Sequence, residues 1–323
     1  MYIINNYNVL LQNNIKLLKG GCDFNNIGLR RKYISFKQLK QDTFERDIRT
    51  SNIEGRNMPI DKTFSAIINE FKCFSQVQAI AVGGSRKANT SDSKSDIDVY
   101  IFTDKEIPVE ERLKIAQKYS SKYEVGSDYF GAGDEFFVDA INQQLDIMFF
   151  DKKWMEKEVD NVWIKHNPSN GYSTCFLFTL KNCEAVFDRN GWLSELKKRI
   201  DTPYPNELKK NIIKRNMMLL KDKPFSSYYD QIEKAIARED YNSINHRIAA
   251  FMASYFDIIF ANNELLHPGE KKLVNYAQTH CKILPEDFTG NINRLLVQPN
   301  SETLDILNDM VCKLKDSISL EDF

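Results

Sequence analysis

Apolar residues follow two different patterns along this chain of 323 residues. Between residues 62 and 200, short apolar runs typical of buried strands alternate with stretches in which apolar residues recur every three or four positions, as on one helix face. The runs predict strands at 77–82, 96–102, 136–141, 145–150 and 185–187, and the helical spacing predicts helices at 64–74, 108–121, 172–182 and 192–200. Strands and helices mixed in this way predict an α/β or α+β domain.

The pattern becomes almost entirely helical after Pro203 and Pro205, two prolines that discourage a helix from continuing across them. Helices are predicted at 206–221, 226–238, 243–262, 270–282 and 302–317. We therefore expect an N-terminal extension at 1–57, itself helical, a mixed domain at 58–202 and a helical domain at 203–323.

Two carboxylates stand at the start of the second predicted strand, in Asp96-Ile97-Asp98-Val99. Alternate residues of a strand point to the same side, so Asp96 and Asp98 are expected to project together. Two carboxylates at such a short distance repel each other, and a divalent cation bound between them removes this repulsion. Mg²⁺ commonly combines one or two carboxylates with substrate phosphates, so the pair predicts a magnesium site.

A glycine turn follows the first predicted strand, and it supplies the residue types that bind phosphate. Gly83 and Gly84 allow backbone amides to approach an anion closely, and Ser85 adds a hydroxyl donor. Arg86 and Lys87 add positive charge. We expect these five residues to contact the triphosphate of a nucleotide.

The turn and the carboxylate pair, separated by ten residues, resemble the signature of the DNA polymerase beta nucleotidyltransferase superfamily. The segment from Asn245 to Lys271 is similar to a helical domain of unknown function that follows minimal nucleotidyltransferase domains in bacterial proteins, including enzymes related to antibiotic nucleotidyltransferases. The resemblance implies an α+β fold with a mixed, helix-flanked sheet and an all-helical C-terminal domain. It also implies that Lys271 or Lys272 meets the nucleotide or acceptor; a solvated helix start is the alternative.

The family also uses a third carboxylate on a later strand, and two candidates stand here. Asp146 is the only charge in an apolar strand, where an unpaired carboxylate is costly to bury. Asp139, in the preceding predicted strand, is the rival, and Asp134 and Glu135 are expected in a loop. We expect Asp96, Asp98 and Asp146 to be the catalytic residues and the ligands of a two-metal Mg²⁺ site.

Composition limits the partners and the compartment that we expect. The 44 basic and 45 acidic side chains give a formal charge of -1, which offers no global attraction for nucleic acid or an anionic membrane. The six cysteines show no Cys-x-x-Cys pair, and free thiols fit a reducing compartment. With no apolar run near the ~20 residues of a membrane span, we expect a cytoplasmic protein.

The expected activity follows from the resemblance and the site. It is the Mg²⁺-dependent transfer of a nucleoside monophosphate from a nucleoside triphosphate, ATP being the first choice, to a hydroxyl of a small antibiotic-like acceptor, with release of pyrophosphate. Two alternatives stay open: transfer to tRNA or protein in a toxin or defence setting, and a non-catalytic nucleotide-binding protein with the same fold.

Overall fold

The computed structural model of the chain describes residues 62–83, 96–129, 131–297, 302–319 and 321. Its strands are β1 (Val77–Val82), β2 (Ile97–Thr103), β3 (Lys122–Ser127), β4 (Gly133–Val138), β5 (Gln143–Asp151) and β6 (Glu184–Asp188). Its α-helices are α1 (Lys62–Lys72), α2 (Val109–Tyr119), α3 (Lys152–Val159), α4 (Cys175–Asn182), α5 (Trp192–Ile200), α6 (Asn206–Met217), α7 (Tyr228–Ala237), α8 (Tyr241–Asn262), α9 (Leu273–His280), α10 (Phe288–Val297) and α11 (Thr303–Asp316). The predicted extension at 1–57 lies outside the described residues.

The strands form one six-stranded sheet in the order β3-β4-β5-β2-β1-β6. Strands β2 and β5 run parallel at its centre, and every other neighbouring pair is antiparallel. The sheet is therefore mixed. With helices beside it and a helical region after it, it confirms the predicted α+β fold.

Each face of the sheet has its own apolar layer, because alternate residues of the central strands point to opposite sides. Val99 and Ile101 of β2 pack with α1 and α2 on one face. Tyr100 and Phe102 belong to a second cluster, which includes α4 and α5 and continues through the C-terminal helices to Ile318. The helical region thus shares an apolar core with this second face, which we call the helical face.

Most elements lie where the apolar pattern predicts them, with some corrections. Strand β1 and helix α5 have the predicted bounds. The prediction missed β3, α3 and α10, so the strand at 185–187 is the sixth strand rather than the fifth. Residues Asp139–Ile141, predicted as the end of a strand, form a 3₁₀ turn.

Edge strand β3 was not predicted because its sequence, Lys-Tyr-Glu-Val-Gly-Ser, contains few apolar residues. Most of its side chains are exposed. Asp134 and Glu135 were wrongly expected in a loop, since both lie in β4. The boundary after residue 202 stays a prediction. No helix within the described residues is long and apolar enough to cross a membrane.

Candidate active site

Asp98 and Asp146 lie side by side on the two parallel strands at the centre of the sheet. They occupy the same register position of β2 and β5. Adjacent strands are ~4.8 Å apart, so the two carboxylates are immediate neighbours. Both share the helical face, since Asp98 alternates with Val99 and Asp146 alternates with Ile147, and both of those apolar residues pack on the opposite face. The strand register therefore creates the pair.

Gly83 lies at the same end of the sheet, directly after β1. Its backbone N–H donates a hydrogen bond of 2.9 Å to the carbonyl oxygen of Asp98. A side chain at position 83 would meet the ring of Tyr100, because a Cβ there would lie 2.3 Å from Cε2 and 2.4 Å from the hydroxyl oxygen. Glycine is required here because β1 and Tyr100 approach so closely.

Burial and mutual repulsion make the carboxylate pair unfavourable by itself. Burial raises the pKa of Asp98 above its ordinary value, the negative charge of Asp146 raises it further, and the positive charge of Lys271 lowers it. Asp146 is only 8% exposed. A divalent cation bound between the two carboxylates would relieve this repulsion.

The same row of the sheet carries two more acidic residues. Glu135 of β4 lies opposite Asp146, and Glu124 of β3 lies opposite Glu135. Burial raises the pKa of Glu135, and the charges of Asp146, Glu124 and Asp96 add to that rise. Acidic side chains therefore extend from the central pair toward the β3 edge. Sequence analysis missed this row because it depends on strand order.

Asp96 interacts with the Asp98–Asp146 pair through its charge, whereas Asp139 is bound to Ser121. Asp96 is exposed immediately before β2, and its charge also raises the pKa of Asp98. Asp139 follows β4 in the 3₁₀ turn, where its carboxylate accepts hydrogen bonds from the backbone N–H of Ser121 at 2.8 Å and from its hydroxyl at 3.1 Å. The geometry brings Asp146, and not Asp139, beside Asp98, and the catalytic roles remain predictions.

The donor set of this site fits a magnesium ion that keeps positions for phosphate or water. Among the described residues, no three Asp, Glu, His or Cys side chains are grouped closely enough to hold one ion. Asp98 and Asp146 supply two carboxylates, which is the number that Mg²⁺ commonly takes from a protein when phosphates complete its shell. A two-metal site with Asp96 as a further ligand stays a prediction.

Four of the predicted nucleotide-binding residues lie outside the described residues: Gly84, Ser85, Arg86 and Lys87. Gly83 and Asp96 border that segment on its two sides. Both of these border residues lie at the end of the sheet where β2 begins, beside Asp98.

Two family models and a solved structure are similar to parts of this chain. Residues 65–153 match the family model described as polymerase beta, nucleotidyltransferase, and residues 172–273 match a domain of unknown function, DUF4037. A crystal structure of a nucleotidyltransferase-like protein from Exiguobacterium sibiricum 255-15 is similar at 10% identity and a TM-score of 0.42, covering 80% of this chain and 73% of that one. No curated protein matches the chain.

The sheet, the carboxylate pair and the first of these matches define a domain of the nucleotidyltransferase class. The chain carries a polymerase beta-type nucleotidyltransferase domain followed by a DUF4037 domain, which confirms the resemblance in its sequence. Nucleotidyl transfer is accordingly the general reaction class that the domain supports.

Proposed function

We propose that the chain is a Mg²⁺-dependent enzyme that transfers a nucleoside monophosphate from a nucleoside triphosphate to a hydroxyl of a small-molecule acceptor. ATP is the triphosphate that we propose as the donor. The observation that supports this proposal is the register pairing of Asp98 with Asp146 on the helical face of the sheet. Both carboxylates lie where a phosphate chain bound beside Gly83 would reach them.

The residues have distinct roles in this proposal. Asp98 and Asp146 would hold Mg²⁺, which when bound supplies positive charge to the phosphates and acidifies a nearby hydroxyl. Asp146 also accepts the proton of the acceptor hydroxyl. The bond from that oxygen to the α-phosphorus forms as the bond from the α-phosphorus to the bridging oxygen breaks, and pyrophosphate leaves with the electron pair.

The proposal needs no covalent intermediate on the protein. Cys175 is buried, and burial raises the pKa of its thiol to about 12, so it is poorly suited to act as a nucleophile. The proposal therefore attributes catalysis to orientation of the two substrates and neutralisation of charge at the carboxylate pair.

The test combines turnover with a matched set of carboxylate variants. The purified chain is incubated with Mg²⁺, triphosphates labelled at the α-phosphate, and a panel of small hydroxyl-bearing acceptors, tRNA and protein. We expect pyrophosphate release and a labelled small molecule. Asp98→Asn and Asp146→Asn should each lower the rate by about a thousandfold or more, whereas Asp139→Asn keeps it near the wild-type rate.

The other outcomes separate the alternatives. Label on tRNA or protein instead of a small molecule would identify a macromolecular acceptor. Nucleotide binding without Mg²⁺-dependent turnover of any acceptor would identify a non-catalytic protein. Full activity of Asp98→Asn would show that the reaction occurs elsewhere.

A further inference from the structure

An open groove of about 450 Å³ lies in the helical region, between α8, α9 and α10. Its size is within the range of about 300–1,000 Å³ that is usual for small-molecule sites. Apolar side chains from all three helices form most of its walls, among them Met252, Phe256, Val274, Ile292 and Leu296. Leu296 is 59% exposed, so an apolar ligand in the groove would cover surface that water now contacts. The described lining residues include none from the sheet, so the groove is a different site from the carboxylate pair.

Two side chains of opposite charge also line the groove. Glu270 is partly buried there, and Lys272 is exposed. In the described part of the chain, neither side chain forms a salt bridge or a hydrogen bond, either with the other or with a third residue. The lining is therefore neutral overall, yet it offers one carboxylate and one ammonium group that a ligand can bind.

Helix α9 begins within the same lining. Lys272 precedes the helix, and no side chain caps its N-terminus. The backbone N–H groups of Leu273, Val274 and Asn275 have no acceptor among the described residues, and all three residues line the groove. Unpaired N–H groups in the first turn of a helix attract an anion. They therefore add to the Lys272 ammonium group as donors for a carboxylate.

The loop that leads to these charges is fixed by a buried histidine. The ring of His267 packs against the ring of Tyr172, which also lines the groove, with centroids 4.6 Å apart. The backbone N–H of His267 donates to the Thr174 hydroxyl at 2.8 Å, and the backbone N–H of Gly269 donates to His267 Nδ1 at 3.1 Å. Glu270 follows this turn directly. Because the turn is held in advance, little ordering of the loop accompanies binding.

We propose that the groove binds a free apolar amino acid. Its carboxylate binds Lys272 and the first N–H groups of α9, its ammonium group binds Glu270, and its apolar side chain lies between α8 and α10. The inference does not depend on the proposed function, because this ligand is neither the nucleotide nor the acceptor.

The charges of the lining favour a zwitterion over other occupants. A ligand with one charge or none would desolvate Glu270, Lys272 or both without giving each a partner, which is costly. An α-amino acid supplies both partners from one carbon atom, which suits two side chains that are two positions apart in the chain. Each of its two contacts is a charge-assisted hydrogen bond, the stronger kind.

The test measures the binding of leucine, phenylalanine and tryptophan to the full chain by calorimetry, without nucleotide or Mg²⁺. Two analogues of the tightest binder follow: the amine that lacks its carboxylate, and the carboxylic acid that lacks its ammonium group. Each analogue should bind about tenfold more weakly than the amino acid, the change expected from losing one charge-assisted contact.

Four variants locate the contacts. Glu270→Gln should weaken binding of the amino acid and the amine about tenfold and leave the carboxylic acid within about twofold. Lys272→Gln should weaken the amino acid and the carboxylic acid about tenfold and leave the amine within about twofold. Lys271→Gln is the matched control, because it removes one charge from a neighbouring position that does not line the groove, and all three affinities should stay near wild type.

Ala249→Phe tests the groove itself. Ala249 is exposed on α8 and lines the groove, so a larger side chain fills the space without entering the core. This variant should weaken all three ligands about tenfold or more and keep the wild-type melting temperature.

The crossed pattern of Glu270→Gln and Lys272→Gln supports the inference, and four other outcomes overturn it. Equal affinities for the amino acid and one of its analogues would show that the ligand needs only one charge. Equal losses from Lys271→Gln and Lys272→Gln would mean that only the general charge of the loop matters. The third is a wild-type chain that binds none of the three amino acids at millimolar concentration. Self-association of the wild type that Ala249→Phe abolishes would assign the groove to a second copy of the chain.

Discussion

The ring of Tyr100 fills the space where residue 83 would carry a side chain. A Cβ at position 83 would lie 2.3 Å from Cε2 and 2.6 Å from Cζ of Tyr100, both closer than atoms can approach. Tyr100 is itself buried in the apolar cluster of the helical face, so its ring has little room to move. The glycine at the end of β1 is therefore a packing requirement of the fold as well as a predicted phosphate contact.

Gly83→Ala should accordingly lower the free energy of unfolding by about 1–3 kcal/mol, the usual cost of overpacking a filled core. Urea denaturation measures it. In a Tyr100→Leu background the same substitution should cost clearly less, because leucine lacks the ring atoms that clash, and a double-mutant cycle gives the coupling. Equal costs in both backgrounds would show that the clash is not what requires glycine.

The repulsion between Asp98 and Asp146 predicts that the pair lowers the stability of the metal-free protein and is needed for Mg²⁺ to bind. Burial and the neighbouring charge raise the pKa of Asp98, so its ionised form is destabilising in the metal-free protein. Asp98→Asn should raise the free energy of unfolding without Mg²⁺, because asparagine brings no charge into the buried pair. At about ten times its dissociation constant, Mg²⁺ should stabilise the wild type by about 1.4 kcal/mol and have no comparable effect on the variant.

Thermal melting with and without Mg²⁺ measures both effects. Asp139→Asn is the control, since Asp139 lies away from the pair, and its melting temperature should respond to Mg²⁺ as the wild type does. If Mg²⁺ stabilised wild type and Asp98→Asn equally, the ion would bind at another site.

The sequence predicted the parts of the site that depend on local pattern. The apolar run before Gly83 predicted β1, and the alternation around Asp98 placed its carboxylate on the opposite side from Val99. Both predictions use only the two-residue period of a strand. The fold class followed from the same patterns.

The relationships that depend on tertiary structure were not determined by the sequence. Whether Asp146 or Asp139 joins Asp98 depends on which strand lies beside β2, and strand order is not encoded in spacing. Glu135 joins the acidic row only because β4 pairs with β5. The position of buried His267 depends on a hydrogen bond from its backbone N–H to Thr174, which comes from a distant part of the chain. Such contacts follow from the packing of whole elements.

A buried ion pair on the opposite face of the sheet predicts a large loss of stability. Arg112 and Asp134 are 5% and 1% exposed and form a 2.7 Å salt bridge, and the Arg112 guanidinium lies 4.5 Å from the ring centre of Phe149. Arg112→Met would leave the Asp134 charge buried without its partner. We expect a loss of about 3–5 kcal/mol, measured by urea denaturation.

Two further variants test the explanation. Arg112→Met/Asp134→Leu should recover part of the loss, and the recovery stays incomplete because the Gly126 N–H loses its acceptor on Asp134. Lys114→Met breaks the exposed pair with Glu111, whose side chains are 67% and 43% exposed, and should cost less than about 1 kcal/mol. Similar losses from Arg112→Met and Lys114→Met would show that burial does not determine the cost.

The pKa of His267 predicts how stability depends on pH. Burial lowers this pKa from 6.5 to about 3, so between these pH values the unfolded chain binds a proton that the folded chain does not. The contribution of His267 to stability is therefore complete above pH 6.5 and decreases as pH falls toward 3. Asp257 acts in the opposite direction: burial raises its pKa from 3.8 to about 7, so its contribution to stability decreases as pH rises from 3.8 to 7.

Because these two groups oppose each other, the wild-type curve alone does not isolate His267, and the comparison with His267→Gln does. Glutamine does not titrate, and its side-chain oxygen can accept the Gly269 N–H. The stability of wild type minus that of the variant should fall by about 2–3 kcal/mol between pH 6.5 and pH 4.5. Urea denaturation at several pH values measures this difference. Parallel curves across that range would mean that folding does not lower the pKa of His267, and the packing between Tyr172 and Phe260 would then not keep it neutral.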